Sequence, residues 1–559
     1  MILPDTSIKS LLAKHGLDEK AVLALETFAT NSRVSLQEAA IEKDAISDEQ
    51  LGRLIADSVR VPFVSLKQVT IPEDIFQIVP ERIARKYKVT AFERKADGIK
   101  LALSDPSIKL IMEMIARKTG QKVLAYYATE RDIDDKLQLY RKNLQQTFDE
   151  LLQEEIGSTT NIADEAPIAK IVDMLITYAY RDKASDIHIE PEENDSLVRF
   201  RIDGILHDVL LLDKKLHDRV VTRIKVLSRL RTDEHLSAQD GKMRMLIDDE
   251  NLDLRISIIP ITEGEKVVLR LLTSHFQQFS LLDLGMNEKD LEKVNAAINK
   301  SYGMILSTGP TGSGKTTSIY SILKILNTRE KNITTIEDPV EYRIQGVNQI
   351  QVNTKTGLTF AAGLRSILRQ DPNIIFVGEI RDSETAGIAV NAALTGHLVV
   401  STLHTNDAAT ALPRLVDMKV EPFLVASTVN VIIAQRLVRK ICESCKAQIT
   451  VKRSEIVNNL PEEEVSKVFG KKADIIVFRG NGCKVCHFTG YTGRIGIFEV
   501  LEMTENIRRL ITEKNDSDII VKKAIEEGMA TMLDDGLQKV AGGMTTLEEV
   551  LRVTKVESL

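Results

Sequence analysis

Gly309-Pro-Thr-Gly-Ser-Gly-Lys-Thr-Thr317 is the stretch on which the reading of this chain turns. It fits the phosphate-loop pattern G-x-x-x-x-G-K-[ST], with Gly309, Gly314, Lys315 and Thr316 at the fixed positions. The apolar run before it, Met304-Ile-Leu-Ser307, reads as a short buried strand. The run after it, Ser318-Ile-Tyr-Ser-Ile-Leu-Lys-Ile-Leu326, reads as a helix. Glycines let the backbone turn tightly enough to aim several N–H groups at one phosphate. The helix N-terminus adds its dipole. Thr311, Gly312, Ser313 and Thr317 complete the candidate nucleotide-binding set. Lys315 is placed to reach the β- and γ-phosphates, and the Thr316 hydroxyl to hold Mg²⁺. The expected ligand is therefore a nucleoside triphosphate with its magnesium ion.

A chain of 559 residues has room for about three to four domains, each with a core of its own. The formal net charge of −7 argues against general nucleic-acid binding, so no nucleic-acid partner is expected. The N-terminus Met1-Ile-Leu-Pro-Asp-Thr-Ser-Ile-Lys lacks the design of a signal peptide. No apolar run approaches the roughly 18–20 residues of a membrane span. The expectation is a cytoplasmic protein whose membrane contact runs through partners.

Working outward from the loop, residues 276–559 alternate apolar strand-like runs with helical stretches: Ile333–Ile336, Ile374–Val377 and Leu398–Val400 follow the loop. That pattern predicts an α/β domain with a largely parallel sheet, whose ligands sit at the carboxyl ends of the strands. Residues 162–275 read as a separate α+β domain. In it Ile168, Ile171, Val172, Leu175, Ile176 and Ala179 recur at helical spacing, Leu197–Ile202 alternates, and Asp203-Gly204 reads as a hairpin turn. Residues 149–161 are polar and turn-prone, and predict a linker. Residues 1–148 form an N-terminal domain of short helices and strands, among them Ile99–Leu103. The basic stretch Arg219, Arg223, Lys225, Arg229 and Arg231 reads as a solvated helix face, or as a contact with the nucleotide domain or an acidic partner.

The strand ends carry the candidate chemistry. Glu337-Asp338-Pro-Val-Glu341 follows the first strand and reads as a Mg²⁺–water site or as a solvated acidic turn. Gly378-Glu379-Ile-Arg-Asp382 follows the second. Glu379 fits a general base acting on water aimed at the γ-phosphate; the plainer reading pairs it with Arg381 or Arg365. Ser401-Thr-Leu-His404 follows the third, and His404 fits a γ-phosphate sensor or a satisfied polar residue.

The four cysteines fall in two pairs, Cys442-Glu-Ser-Cys445 and Cys483-Lys-Val-Cys486. A two-residue spacer lets both thiolates of a pair face one ion, and four soft ligands complete a tetrahedron. A closed, structural zinc site is expected within a subdomain at 438–495, with redox chemistry of the Cys-x-x-Cys pairs as the alternative. Residues 446–482 between the pairs must then fold on their own.

These boxes together resemble the type II/IV secretion-superfamily ATPases. Gly309–Thr317, Thr335-Ile-Glu-Asp-Pro-Val-Glu341, Arg369-Gln-Asp-Pro-Asn373 leading to Gly378-Glu-Ile-Arg-Asp382, and Thr395-Gly-His-Leu-Val399 with Ser401-Thr-Leu-His-Thr405 look like that family's Walker A, Asp, Walker B and His boxes. The resemblance covers roughly residues 160–559. It implies a RecA-like P-loop ATPase domain preceded by a PAS-like α+β domain, ATP and Mg²⁺ as cofactors, and a homohexameric motor. It implies catalytic roles for Glu379, Glu337 and His404. It also nominates Arg255 in Leu252-Asp-Leu-Arg-Ile-Ser257 and Arg270 in Val267-Val-Leu-Arg-Leu-Leu272, which would reach the nucleotide from the second domain. Spacing alone reads both as ordinary strand residues. Arg365, Arg369, Arg381 and Arg414 are further candidates for interface contacts.

The tetracysteine insert and long N-terminal region look like the type IV pilus assembly ATPase and the type II secretion ATPase. The implied partners are an inner-membrane platform protein and a cytoplasmic docking protein, at the inner face of the cytoplasmic membrane. A DNA-uptake or DNA-translocating motor is a third reading, and the acidic balance speaks against it. Val61-Pro-Phe-Val-Ser-Leu-Lys67 and Ile78–Val89 resemble the family's N-terminal domain. Some relatives bind cyclic di-GMP there through segments opening with Arg-Leu-Gly. This chain has none before residue 150, the nearest being Gln50-Leu-Gly-Arg53, so docking rather than cyclic di-GMP binding is expected.

Overall fold

The computed structural model describes residues 4–554 except 33, 44, 67, 68, 70, 96, 138, 139, 141–143, 146, 151–166, 249, 273–279 and 459. Residues 151–161 of the expected linker therefore lie outside the described residues. Two compact units emerge. One takes in the described residues of Met1–Val79, Lys86–Ile133 and Gln277–Leu559; the other those of Pro80–Arg85 and Asp134–Phe276.

The first unit is built on a seven-stranded sheet. Its order is Asn348–Gln351, Ile333–Glu337, Ile374–Val377, Leu398–Leu403, Gly303–Thr308, Val429–Ile441, Tyr491–Glu502. Neighbours pair parallel from Asn348–Gln351 through to Val429–Ile441, and the last pair is antiparallel. Every residue of Gly303–Thr308, Ile374–Val377 and Leu398–Leu403 is buried, which is why these strands read as continuous apolar runs rather than as alternation. Parallel neighbours require crossovers. The helices Lys315–Leu326, Phe360–Ile367 and Ser383–Leu394 fall between them in sequence. Asp382 starts the last of these helices by accepting a hydrogen bond from Thr385 N at 2.8 Å, the work of an N-cap. The arrangement is the α/β, largely parallel sheet that the sequence predicts.

In the same unit the N-terminal residues form the helices Asp5–Lys14, Glu19–Ser32, Leu36–Glu42 and Asp48–Ser58 and a three-stranded sheet of Val89–Lys95, Gly98–Leu103 and Val123–Tyr127. Ser35 with Glu38, and Ser47 with Gln50, close reciprocal capping boxes at two helix starts. Gln50, first residue of the Gln50-Leu-Gly-Arg53 segment, is thus engaged in helix capping.

The second unit is a six-stranded antiparallel sheet in the order Ile205–Asp213, Asp195–Ile202, Asp186–Pro191, Gly264–Leu272, Glu250–Ile261, Gln239–Ile247. Its core joins the strands to the helices Ile168–Arg181 and Lys214–Leu227. Val198, Phe200 and Ile202 are buried in it. Asp203 (φ 51°) and Gly204 (φ 88°) make the tight turn that the dipeptide predicts. Leu144 and Phe148, which the sequence reading counts with the N-terminal domain, are buried in this core.

The basic stretch needs a correction. Lys225 does not lie on a solvated face: its side chain is 0% exposed and its ammonium sits 2.8 Å from Glu265. A buried lysine without such a partner would be strongly destabilising. Glu265 also accepts from His235 Nδ1 at 2.8 Å.

Candidate functional site

The phosphate loop joins the strand Gly303–Thr308 to the helix Lys315–Leu326. Gly309, Gly312 and Gly314 have φ of 145°, 78° and 93°, values that side chains rarely adopt. A Cβ on Gly309 would come within 2.5 Å of the Gln435 carbonyl oxygen, so this position also excludes a side chain by space. Ser313 is buried and its Oγ has no hydrogen-bond partner among the described residues. Thr311 and Gly312 are exposed, and Thr316 and Thr317 half-buried in the first helical turn. Lys315 is buried and its ammonium donates to the carbonyls of Gly309 at 2.6 Å and Pro310 at 3.0 Å. Burial lowers its pKa, and the negative charge of Glu379 opposes that shift. The loop, a buried cation and a helix N-terminus fit an anionic phosphate.

The next two strands, Leu398–Leu403 beside the loop strand and Ile374–Val377 beyond it, are locked in register at their carboxyl ends. Ser401 Oγ donates to the Val377 carbonyl at 2.7 Å and Thr402 Oγ1 to the Gly378 carbonyl at 2.6 Å. This brings Glu379 and His404 together: His404 Nε2 is 3.2 Å from Glu379 Oε2. Arg381 Nε lies 2.7 Å from the same oxygen, so the arginine contact of the plainer reading is present alongside the histidine. Thr308, at the end of the loop strand, donates through Oγ1 to the Thr405 carbonyl at 2.9 Å, tying the histidine segment to the loop. Arg365 instead pairs with Glu384.

Glu337 is placed differently. It is 3% exposed, and both of its oxygens are engaged. The Tyr320 hydroxyl donates to Oε2; Thr335 Oγ1 donates to Oε1 at 2.6 Å, and Gln349 Nε2 at 3.1 Å. Burial raises its pKa, and these donors hold it down in part. Tyr320, Gln349 and Gln435 are absent from the sequence-based list. The available signal for Tyr320 is an aromatic residue at the apolar positions of the helix behind the loop, which are otherwise Ile and Leu.

Arg255 and Arg270 lie in the second unit, directly opposite one another on the paired strands Glu250–Ile261 and Gly264–Leu272. Arg270 Nε is 2.9 Å from Asp186 Oδ1.

The four cysteine sulfurs all lie within 4.8 Å of one another. Cys442–Cys483 and Cys445–Cys486 Sγ separations are 3.8 Å, and Cys483–Cys486 is 3.7 Å. A tetrahedron with metal–sulfur bonds of about 2.3 Å has edges of about 3.8 Å, so the cluster has the size of a Cys₄ zinc site. Backbone N–H groups of Cys483 and Gly490 point at Cys486 Sγ at 3.1 and 3.3 Å. The residues between the pairs explain how the halves meet. Lys446–Lys452 and Asp474–Gly480 pair antiparallel with Lys446 opposite Gly480, which returns the chain to its starting point. Two helices, Arg453–Val457 and Glu462–Phe469, fill the interval. Their core is shared with Leu537, Val540 and Val550 of the C-terminal helices, so the segment does not fold wholly on its own.

Among the described residues, no helix is long and apolar enough to cross a membrane.

With this geometry in place, comparison with known proteins is specific. Residues 161–552 match the profile of the family described as type II/IV secretion system protein, and residues 59–147 that of the MshEN domain. The chain is 37% identical over 529 residues to the type IV pilus assembly ATPase PilB of Myxococcus xanthus, covering 92% of each. It is 44% identical over 409 residues to the type II secretion system protein E of Pectobacterium carotovorum subsp. carotovorum, covering 73% of this chain and 80% of that one. Among solved structures, the Legionella pneumophila ATPase DotB superposes with a TM-score of 0.52 at 21% identity, covering 69% of this chain and 95% of that one. This last likeness is one of fold.

Proposed function

The chain belongs to the type II/IV secretion system protein family and is one of its ATPases, and from that premise we propose that it is a homohexameric, Mg²⁺-dependent motor that powers type IV pilus assembly. The observation that carries the reading is the convergence of the phosphate loop and the Glu379–His404 pair at the carboxyl ends of neighbouring parallel strands. Mg²⁺, met by the Thr316 hydroxyl, would neutralise charge between the β- and γ-phosphates. Lys315 turns its ammonium from the Gly309 carbonyl to the same phosphates. Glu379 takes the proton from the attacking water on Oε1, while His404 and Arg381 hold Oε2 and so orient the carboxylate. Glu337, with its oxygens occupied, shapes the site behind the loop helix. Arg255 and Arg270 act on the nucleotide from the second unit, so that the chemistry is coupled to motion of that unit. Zinc, held by Cys442, Cys445, Cys483 and Cys486, is structural. The work is delivered to a membrane platform protein from the cytoplasmic side.

Pilus assembly is preferred because similarity to the assembly ATPase extends over 92% of both chains. Type II secretion is the second reading, favoured by the higher identity of 44% over a shorter span. The test is replacement of the gene by Glu379→Gln in the organism that encodes it. Loss of sheared surface pili with an unchanged set of exported proteins is the expected result. Loss of exported proteins with pili intact would transfer the motor to the secretion machine.

A further inference from the structure

Gln435 lies on the strand Val429–Ile441, one residue beyond Ala434, which pairs with Thr308 at the end of the loop strand. It is 1% exposed. Two glycines of the phosphate loop press against it. The Gln435 backbone carbonyl occupies the space of a Cβ on Gly309, and its Nε2 would meet a Cβ on Gly314 at 2.7 Å. Its Oε1 accepts from Ser318 Oγ at 2.7 Å, a fully buried serine in the first turn of the loop helix. Its Nε2 is buried and has no hydrogen-bond partner among the described residues. A buried amide left without a partner is costly, and native chains keep few of them.

The loop holds a matching shortage in prospect. Lys315 donates to the Gly309 and Pro310 carbonyls. Pro310 is exposed and its carbonyl also accepts from Ser313 N at 3.3 Å, but Gly309 is buried, so when the ammonium turns from the Gly309 carbonyl to a phosphate that carbonyl needs another donor. Gln435 Nε2 is a donor already packed against this loop. We propose that Gln435 is a positioning residue of the nucleotide site. It is anchored through Ser318, and its free amide takes over a loop carbonyl when Lys315 turns to the phosphate, which fixes the loop in its nucleotide-bound form. Gln435 touches no phosphate itself. The proposal rests on the reading of the loop as a nucleotide site.

A residue that sets the loop stabilises bound substrate and transition state alike, so its loss raises KM more than it lowers kcat. In the full-length chain with Mg²⁺ present, Gln435→Met should raise the Kd for ADP and the KM for ATP about tenfold, the scale of one hydrogen bond, with kcat within about threefold. Ser318→Ala should move both in the same direction, and the double variant should be no weaker than the weaker single. A packing role alone would lower the melting temperature and leave the ADP Kd unmoved. Unchanged ADP Kd in folded Gln435→Met therefore overturns the proposal. Should that variant fail to fold, Ser318→Ala decides on the same measurement, an unchanged Kd again being fatal. The unsubstituted chain is titrated alongside. If it binds no ADP, the reading of the loop fails rather than the role of Gln435.

Discussion

His404 Nε2 and Glu379 Oε2 stand 3.2 Å apart, at the ends of two parallel strands whose register is fixed by Ser401 and Thr402. The carboxylate proposed to accept a proton from water is thus held by a ring from the neighbouring strand. Glu379 remains 15% exposed at its side chain, where Glu337 is closed in by Tyr320, Thr335 and Gln349. Between these two carboxylates, water reaches Glu379.

His404→Ala should leave Glu379 with Arg381 as its side-chain partner. Turnover is expected to fall about tenfold, the value of one aimed hydrogen bond, with ATP affinity changed much less. Phosphate release and nucleotide Kd, measured on the same preparation, check this. Equal loss in both would make His404 a binding residue.

Arg255 and Arg270 face each other across a strand pair, an arrangement in which like charges repel. Asp186 offsets part of that cost. Each change to Ala should lower kcat by on the order of 10²-fold, less than the largest effects of single arginines in nucleotide hydrolases because two share the task. ATP Kd should move far less. Lysine should rescue poorly, since it lacks the planar fork. Both variants assembling and turning over like the unsubstituted chain would reduce them to strand residues.

The cysteine cluster should carry about one tightly bound zinc per chain, the stoichiometry of a closed Cys₄ site. Changing Cys442 and Cys445 together to Ser should release the metal and open the segment 438–495, since two thiolates cannot close the shell. Elemental analysis of the purified chain, with limited proteolysis of the variant, is the check. Metal-free protein with an intact segment would contradict it.

Glu499 supplies a pH dependence. Burial pushes its carboxyl up to about 7, against an accepted hydrogen bond from Ala408 N. Because the folded value lies above the unfolded one, this group's favourable contribution is complete below about pH 4.5 and is lost as pH rises through 7. Glu499→Gln keeps an acceptor for Ala408 and removes the charge. It should melt higher than the unsubstituted chain at pH 8, by at most about 3 kcal/mol of stability, and the gap should close towards pH 4.5. A constant gap across that range would show that Glu499 does not titrate there.

Much of the candidate site is legible in the sequence because its residues sit at strand ends and the strands are apolar on both faces. Gly309–Thr317, Glu379 and His404 each follow a short apolar run that reads as a buried strand. What stays hidden depends on long-range pairing. Ser318 and Gln435 meet across 117 positions, and Tyr320 and Glu337 across 17, through a sheet order that local periodicity does not encode. Lys225 misleads for the same reason: its helix looks like a basic face, and the carboxylate that permits its burial, Glu265, comes from a strand 40 residues on. The zinc spacing is readable, but the sharing of that segment's core with Leu537 and Val550 is not.

The most direct test of the central claim is phosphate release by the full-length chain with ATP and Mg²⁺, set against Glu379→Gln and Lys315→Ala, with nucleotide Kd measured in parallel. An amide at 379 cannot accept the proton of the attacking water. The expected result is a loss of at least about 10²-fold in kcat with ATP Kd nearly unchanged for Glu379→Gln, and loss of both turnover and affinity for Lys315→Ala. Glu379→Gln turning over ATP at the rate of the unsubstituted chain would contradict the assignment of Glu379 as the base.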